Sequence, residues 1–174
     1  KNMIITMGAT GFLPPPAQPA DPHANDLRTG KLLWTARIVP GKGEPGGDSW
    51  GPETQNVVSM GGWGHITLDE ATGTVYLPTD TGNPDYVGIW RPGDNAGANS
   101  TLALDAETGK ILFQKSLAKE FVSTLQLGHY GYSEGPLIDG DKLVVTPGRA
   151  DCAMVAMNKE TGEVLWKATY PKFW

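Results

Sequence analysis

One ten-residue pattern recurs four times in this chain, and that repetition constrains the fold more than any other feature. "NDLRTGKLLW" (25–34), "LDEATGTVYL" (68–77), "LDAETGKILF" (104–113) and "MNKETGEVLW" (157–166) share one frame. An Asp or Asn (Asp26, Asp69, Asp105, Asn158) is followed three residues later by Thr and four later by Gly. The frame predicts a hairpin turn. The Asp or Asn side chain accepts from backbone N–H groups further round the turn, and Gly takes a left-handed conformation without strain. The apolar residues on either side supply the two strands. In three copies a large ring stands four residues after the Gly: Trp34, Phe113 and Trp166. A ring in fixed phase predicts a repeated contact that buries each ring against a neighbouring unit.

Composition agrees with many short strands. The 174 residues include 23 Gly and 14 Pro, and only 19% are charged, which suits strands joined by turns rather than a helical bundle. A net charge of −5 gives no basic footprint and argues against a nucleic-acid partner. No apolar run approaches the roughly 20 residues of a membrane-spanning helix. The chain begins at Lys1 with no leader pattern, so a processed product or a piece of something larger is expected. Cys152 is the only cysteine, which excludes an internal disulfide; its setting, "CAMVAM", predicts a buried, inert thiol. His23, His65 and His129 lack zinc-ligand spacing, and neither a G-x-S-x-G elbow nor a P-loop occurs.

Along the chain, "NMIITM" (2–7) reads as a strand and the Pro-rich 11–23 as loop or extended chain. Residues 40–56 form one long loop, and "TGNPDYVGIWRPGDNAGANS" (81–100) a second. Loops of that length inside a compact domain are usually functional or disordered. Between them "VVSMGGWGHITLD" and "TVYLPTD" make a hairpin, followed by "TLALD" with "KILFQKS". "GPLIDGDKLVVTPG" and "AMVAMNKETGEVLWKATY" are two further hairpins, together a four-stranded meander of propeller-blade size. "SLAKEFVSTL" is the one helix-like segment.

The expected fold is therefore all-β. It is a partial β-propeller of about 2.5–3 four-stranded antiparallel blades, with a partial blade at 1–40, an elaborated blade at 57–117 and a compact blade at 130–170. Closed propellers need about four to eight blades. Open sheet edges and an uncovered blade face imply further propeller blades as partners, from the same or another chain.

"TGKLLW", "TGKILF" and "TGEVLW" resemble the tryptophan-docking repeat of the quinoprotein propellers. "GGWGHITLDEATGTVYLPTDTGNPDY", "RPGDN" and "NSTLALDAETGKILFQ" are similar to the cofactor-binding part of the pyrroloquinoline quinone (PQQ)-dependent alcohol and sugar dehydrogenases, a match over about residues 25–115. The segment from "YGYSEGPLIDGDKLVVTPG" onward looks more like the PQQ-like repeat proteins. This resemblance implies PQQ and Ca²⁺ as cofactors and a periplasmic or secreted setting. Trp63 matches the indole that lies beneath the quinone, a platform suited to a planar tricarboxylate; inner-strand packing is its other reading. Asn83 matches a Ca²⁺ ligand, its carbonyl being a hard oxygen donor; it is also an ordinary Asn-Pro turn. Arg149 could meet a carboxylate of PQQ or be a solvated loop arginine. His129, Tyr132 and Glu134 form a further loop group.

Two departures from the family pattern stand out. Where it carries a catalytic Asp in an H-D-x-W-D-like stretch, this chain reads "KSLAKEFVSTLQLGHYGYSEG", with Glu120 and Glu134 the nearest acids. The adjacent cysteine pair of many members is also missing. Two functions follow: a quinoprotein segment whose parent activity oxidises an alcohol or sugar and passes electrons to an acceptor, or a non-catalytic propeller scaffold that binds other proteins.

Overall fold

The computed structural model describes residues 2–8, 20–51, 60–82, 89, 91–121, 134–149 and 151–170. Its strands form three antiparallel sheets, each a meander in chain order. The first holds β1 (Met3–Thr6), β2 (His23–Asp26) and β3 (Leu32–Thr35). The second holds β4 (Thr67–Asp69), β5 (Thr74–Pro78), β6 (Ser100–Asp105) and β7 (Ile111–Ser116). The third holds β8 (Leu137–Asp139), β9 (Lys142–Val145), β10 (Met154–Asn158) and β11 (Val164–Ala168). This is the partial propeller expected from the hairpin count. Within its described part the helix-like segment contributes α1 (Leu117–Glu120), whose first turn is capped by Ser116 Oγ accepting from Lys119 N at 3.2 Å.

The repeated turns have the predicted chemistry. Asp26 Oδ1 accepts from the backbone N–H of Arg28 (3.0 Å) and Thr29 (2.8 Å) and from the Thr29 hydroxyl (2.8 Å). Asp105 repeats this with Glu107, Thr108 and the Thr108 hydroxyl at 3.0, 2.8 and 2.7 Å. Asn158 accepts from the N–H groups of Glu160 and Thr161 at 2.9 and 3.0 Å. The glycine N–H closes each turn onto the Asp or Asn carbonyl, at 2.8 Å for Gly30, Gly73, Gly109 and Gly162 alike.

Alternation along the strands gives each sheet two chemically distinct faces. In the second sheet Val75, Leu77, Leu102 and Leu104 pack toward the first, in a core with Ala24, Trp34 and Ile38. Tyr76 and Ala103, one step out of phase, join Leu143, Val145, Val155 and Met157 of the third sheet, with Phe113 packed against them. Both faces of the second sheet are therefore covered, and every residue of β5 is buried.

The rings mark the joints. Trp34 is buried at 9% exposure, and its Nε1 donates to the Ala106 carbonyl across the first interface at 3.1 Å. Its six-membered ring lies where a Cβ on Gly109 would stand, 2.5 Å from Cε3. Gly109 has φ +71°, so a side chain there meets both backbone strain and the indole. Phe113 lies against Gly162 in the same way, 3.1 Å from the place a Cβ would take. Each ring rests on its own sheet over an alanine with no exposed surface: Ala24 pairs with Trp34, Ala103 with Phe113 and Ala156 with Trp166. The strand register shifts immediately after each alanine. Trp166 differs from the sequence expectation in being 41% exposed. Among the described residues no fourth sheet follows β11 to cover it.

Candidate functional site

The meander segregates the hairpin turns from the longer connections. The Asp/Asn-x-x-Thr-Gly turns lie at one end of the sheets, and the chain enters β4 and β8 and crosses from β9 to β10 at the other. The second and third sheets run in the same sense. At the connection end Thr67 Oγ1 donates to the Pro136 carbonyl, and Gly135 lies so close to His65 that a Cβ would stand 2.8 Å from the His65 carbonyl oxygen. Trp63 and Arg149 both belong to this end.

Trp63 is set by the glycines around it. The sequence reading continued the strand of "VVSMGGWGHITLD" through this point, but within the described part only Thr67–Asp69 is strand. The Gly61 N–H donates to Asp80 Oδ1 at 3.3 Å and the Asp80 N–H to the Gly61 carbonyl at 3.0 Å. The Gly62 N–H donates to the Gly8 carbonyl at 3.3 Å. A Cβ on Gly62 would collide with the Pro78 carbonyl and the Met7 methyl. These bonds draw 61–62 away from a sheet ladder and wedge it between the first and second sheets. Trp63 follows directly, with 53% of its surface exposed. Within the described residues it is not buried.

The two long loops brace each other. Residues Gly47–Trp50 form a 3-10 turn that carries Trp50 into the interior with no exposed surface. The Trp50 Nε1 donates to the Ala96 carbonyl at 2.8 Å, and the Ala96 N–H donates to Ser49 Oγ at 2.8 Å. In "RPGDN", Arg91 Nη1 donates to Asn95 Oδ1 at 2.8 Å and Asn95 Nδ2 returns to the Arg91 carbonyl at 3.0 Å. Asn95 has φ +49°, a left-handed conformation that Asn tolerates better than most residues. The motif therefore staples its own loop. Sequence reasoning missed Trp50 as an anchor; the glycines flanking "GGDSW" were its available signal.

Arg149 is 5% exposed, so it is not a solvated loop arginine. Its backbone exchanges hydrogen bonds with Cys152, N–H to carbonyl in both directions at 3.1 Å, and its Nε reaches Asp151 Oδ1 at 3.4 Å. Cys152 is buried beneath this turn, and burial pushes its thiol pKa up. Alkylation of native Cys152 by iodoacetamide at pH 7.5 is therefore expected to run roughly tenfold or more slower than in denaturant. Equal rates in the two conditions would show an accessible thiolate.

Asn83, His129 and Tyr132 lie outside the described residues, and residues 122–133 include no Asp or Glu. Glu134 is exposed. Glu120 ends α1 and pairs with Lys115 of β7 at 2.6 Å. Among the described residues no group of three or more His, Cys, Asp or Glu side chains is placed to hold a metal ion. Trp63 and Arg149 stand at the connection end, the first half exposed and the second buried.

The family described as "PQQ: Glucose/ethanol/alcohol dehydrogenase, beta-propeller domain" matches residues 1–120. The chain belongs to this family. The match takes in the first two sheets, Trp63 and α1, while the third sheet lies beyond it. Quinoprotein glucose dehydrogenase A of Acinetobacter calcoaceticus is 36% identical over 93 residues, covering 51% of this chain and 11% of that protein. Lupanine 17-hydroxylase [cytochrome c] of Pseudomonas sp is 34% identical over 106 residues, covering 49% of this chain and 14% of that protein. The chain thus spans a small part of the length of either relative. Among solved structures a europium-containing methanol dehydrogenase superposes with a TM-score of 0.73 over 98% of this chain and 32% of its own, at 16% identity. That likeness, one of fold alone, takes in the third sheet as well.

Proposed function

We propose that this chain is the cofactor-facing segment of a quinoprotein dehydrogenase, of the kind that oxidises an alcohol or sugar. The supporting observation is Trp63: a half-exposed indole, held on a glycine bend that hydrogen bonds fix to Asp80 and Gly8. On this reading the indole face stacks against PQQ and Arg149 receives one of its carboxylates. Asn83 supplies one oxygen to Ca²⁺, and the remaining ligands come from elsewhere. Bound PQQ would supply the two-electron acceptor chemistry. This chain's own residues orient the cofactor and brace its floor. Blades would correspond to residues 1–40, 57–117 and 130–170, and the rings at their joints would be tryptophan-docking contacts. The same reading sets the protein in the periplasm or as secreted.

Titration with PQQ in the presence of Ca²⁺, followed by absorbance and calorimetry, tests this. Trp63→Ala is expected to weaken binding roughly tenfold, as loss of a stacked ring would. Chelation of Ca²⁺ is expected to weaken it as well. Identical affinity in the wild type and Trp63→Ala would overturn the stacking role. Turnover by this chain is expected to be negligible, because a missing general base typically costs 10²–10⁴ in rate. Glu120, tied to Lys115, is a poor substitute.

A further inference from the structure

At the end of β5 a side-chain oxygen stands in for a backbone carbonyl at two successive residues. In a regular antiparallel pair, facing residues exchange N–H···O bonds through their backbone carbonyls. At Thr79 the exchange with Ser100 is only half backbone. The Thr79 N–H donates to the Ser100 carbonyl at 2.8 Å, but the Ser100 N–H donates to Thr79 Oγ1 at 3.0 Å. Asp80 repeats the arrangement with Gly61. The Asp80 N–H donates to the Gly61 carbonyl at 3.0 Å, and the Gly61 N–H donates to Asp80 Oδ1 at 3.3 Å. The Asp80 carbonyl is committed elsewhere, to the Asn99 N–H at 2.9 Å. Both residues are buried, Thr79 at 0% and Asp80 at 2% exposure. The first substitution prolongs the pairing of β5 with β6. The second carries the second sheet over to the bend that precedes Trp63.

We propose that Asp80 is the positioning residue for Trp63. Successive residues of the bend are seated on different parts of the fold. Met60 is buried, its methyl 2.7 Å from the place a Cβ on Gly97 would take. Gly62 donates to the Gly8 carbonyl. Gly61, between them, is held by the backbone and the carboxylate of Asp80. The first two seats are packing and main chain, so Asp80 is where a side chain acts on the bend. A carboxylate is costly to bury, and a bend held by packing alone would not need one. On the far side of the indole, Gly135 is pressed against the His65 backbone. Trp63 is thus set between two fixed points, and Asp80 makes the upstream one. For a ligand, this role rests on the stacking of PQQ against Trp63 proposed for the chain.

Fluorine NMR of the chain labelled with fluorotryptophan reads the indole without any ligand, and Trp63→Phe assigns its line among the 6 tryptophans. Wild type is expected to give one narrow Trp63 line. Asp80→Ala should shift and broaden that line. It should also weaken PQQ binding in the presence of Ca²⁺ roughly fivefold, the scale of one hydrogen bond. Asp80→Asn keeps an oxygen for the Gly61 N–H and should keep the wild-type line. Thr79→Val removes the neighbouring acceptor at similar burial. It should lower stability in urea yet leave the Trp63 line in place, which a general loosening at the end of β5 would not. An unmoved line in folded Asp80→Ala would overturn the proposal, as would a Thr79→Val line displaced as far as that of Asp80→Ala. If Asp80→Ala does not fold, hydrogen exchange of the Gly61 amide in the wild type decides. Protection supports the assignment, and exchange as fast as in an unfolded chain overturns it. A wild type that fails to bind PQQ, while Asp80→Ala still moves the Trp63 line, would overturn the stacking reading and leave Asp80 as the residue that sets the indole.

Discussion

Trp34→Ala is expected to lower unfolding free energy by about 3–5 kcal/mol, the range for deleting a buried aromatic. Set against a domain's net stability of about 5–15 kcal/mol, that is a large share for one side chain. The loss combines a cavity between two sheets with an Ala106 carbonyl deprived of its donor. Trp34→Phe separates these terms. It keeps most of the ring and removes only the N–H, so about 1–3 kcal/mol is expected for the carbonyl left unsatisfied. Urea denaturation of both variants gives the measurement. A loss below about 1 kcal/mol for Trp34→Ala would mean that the ring does not join the sheets.

Lys159→Met is expected to cost a similar amount, about 3–5 kcal/mol, because it strands a buried carboxylate. Lys159 Nζ lies 2.6 Å from Asp69 Oδ2, with side-chain exposures of only 14% and 8%. The hydrogen bond from Lys159 is the main reason the Asp69 pKa is held below its ordinary 3.8. A depressed carboxylate contributes stability that is present above its unfolded value and lost as pH falls through the folded one. In the variant Asp69 loses the influence that lowers its pKa most, while burial still acts to raise it. The gap between wild type and Lys159→Met should therefore narrow as pH is taken below 3.8 and Asp69 protonates in both proteins. A gap that stays constant over that range would show that the lost term is packing rather than charge. Asp69→Asn combined with Lys159→Met should recover much of the loss, since neither charge is then stranded.

The hairpins were legible because their determinants are local. Asp26, Asp105 and Asn158 fix their turns with bonds no more than three residues away. The joints were half legible. Gly109 and Trp34 are both visible in the repeat, but that one seats the other is a long-range fact. The alanine beneath each ring, two residues before the Asp or Asn, was in the sequence as Ala24, Ala103 and Ala156 and went unread. A small residue carries no chemical signal until its cross-strand partner is known. The Asp69–Lys159 pair joins residues in different turns, and no local pattern announces it. Arg149 shows the opposite limit: its loop looks solvated by composition, yet the exchange of hydrogen bonds with Cys152 folds it inward. Trp166 was misjudged in its burial because its frame matches the other two, and only the sheet count separates it from them.

The bulge after each alanine has a consequence for how such chains can change over time. Strand side chains alternate faces, so parity fixes which face a ring takes. One residue inserted between the glycine and the ring would swing the ring to the wrong face and undo a joint. On that rim the chain is length-locked, and the four-residue interval from Gly to ring is the same for Gly30, Gly109 and Gly162. The opposite rim carries no such lock. Closing a longer loop costs only about 0.6 kcal/mol for each doubling of its length. Insertions can accumulate there, beside Trp63 and Arg149, while the sheets keep their seating. The molecule is thus free to diversify at the end that carries Trp63 and Arg149 and is held to strict counting at the end that holds it together.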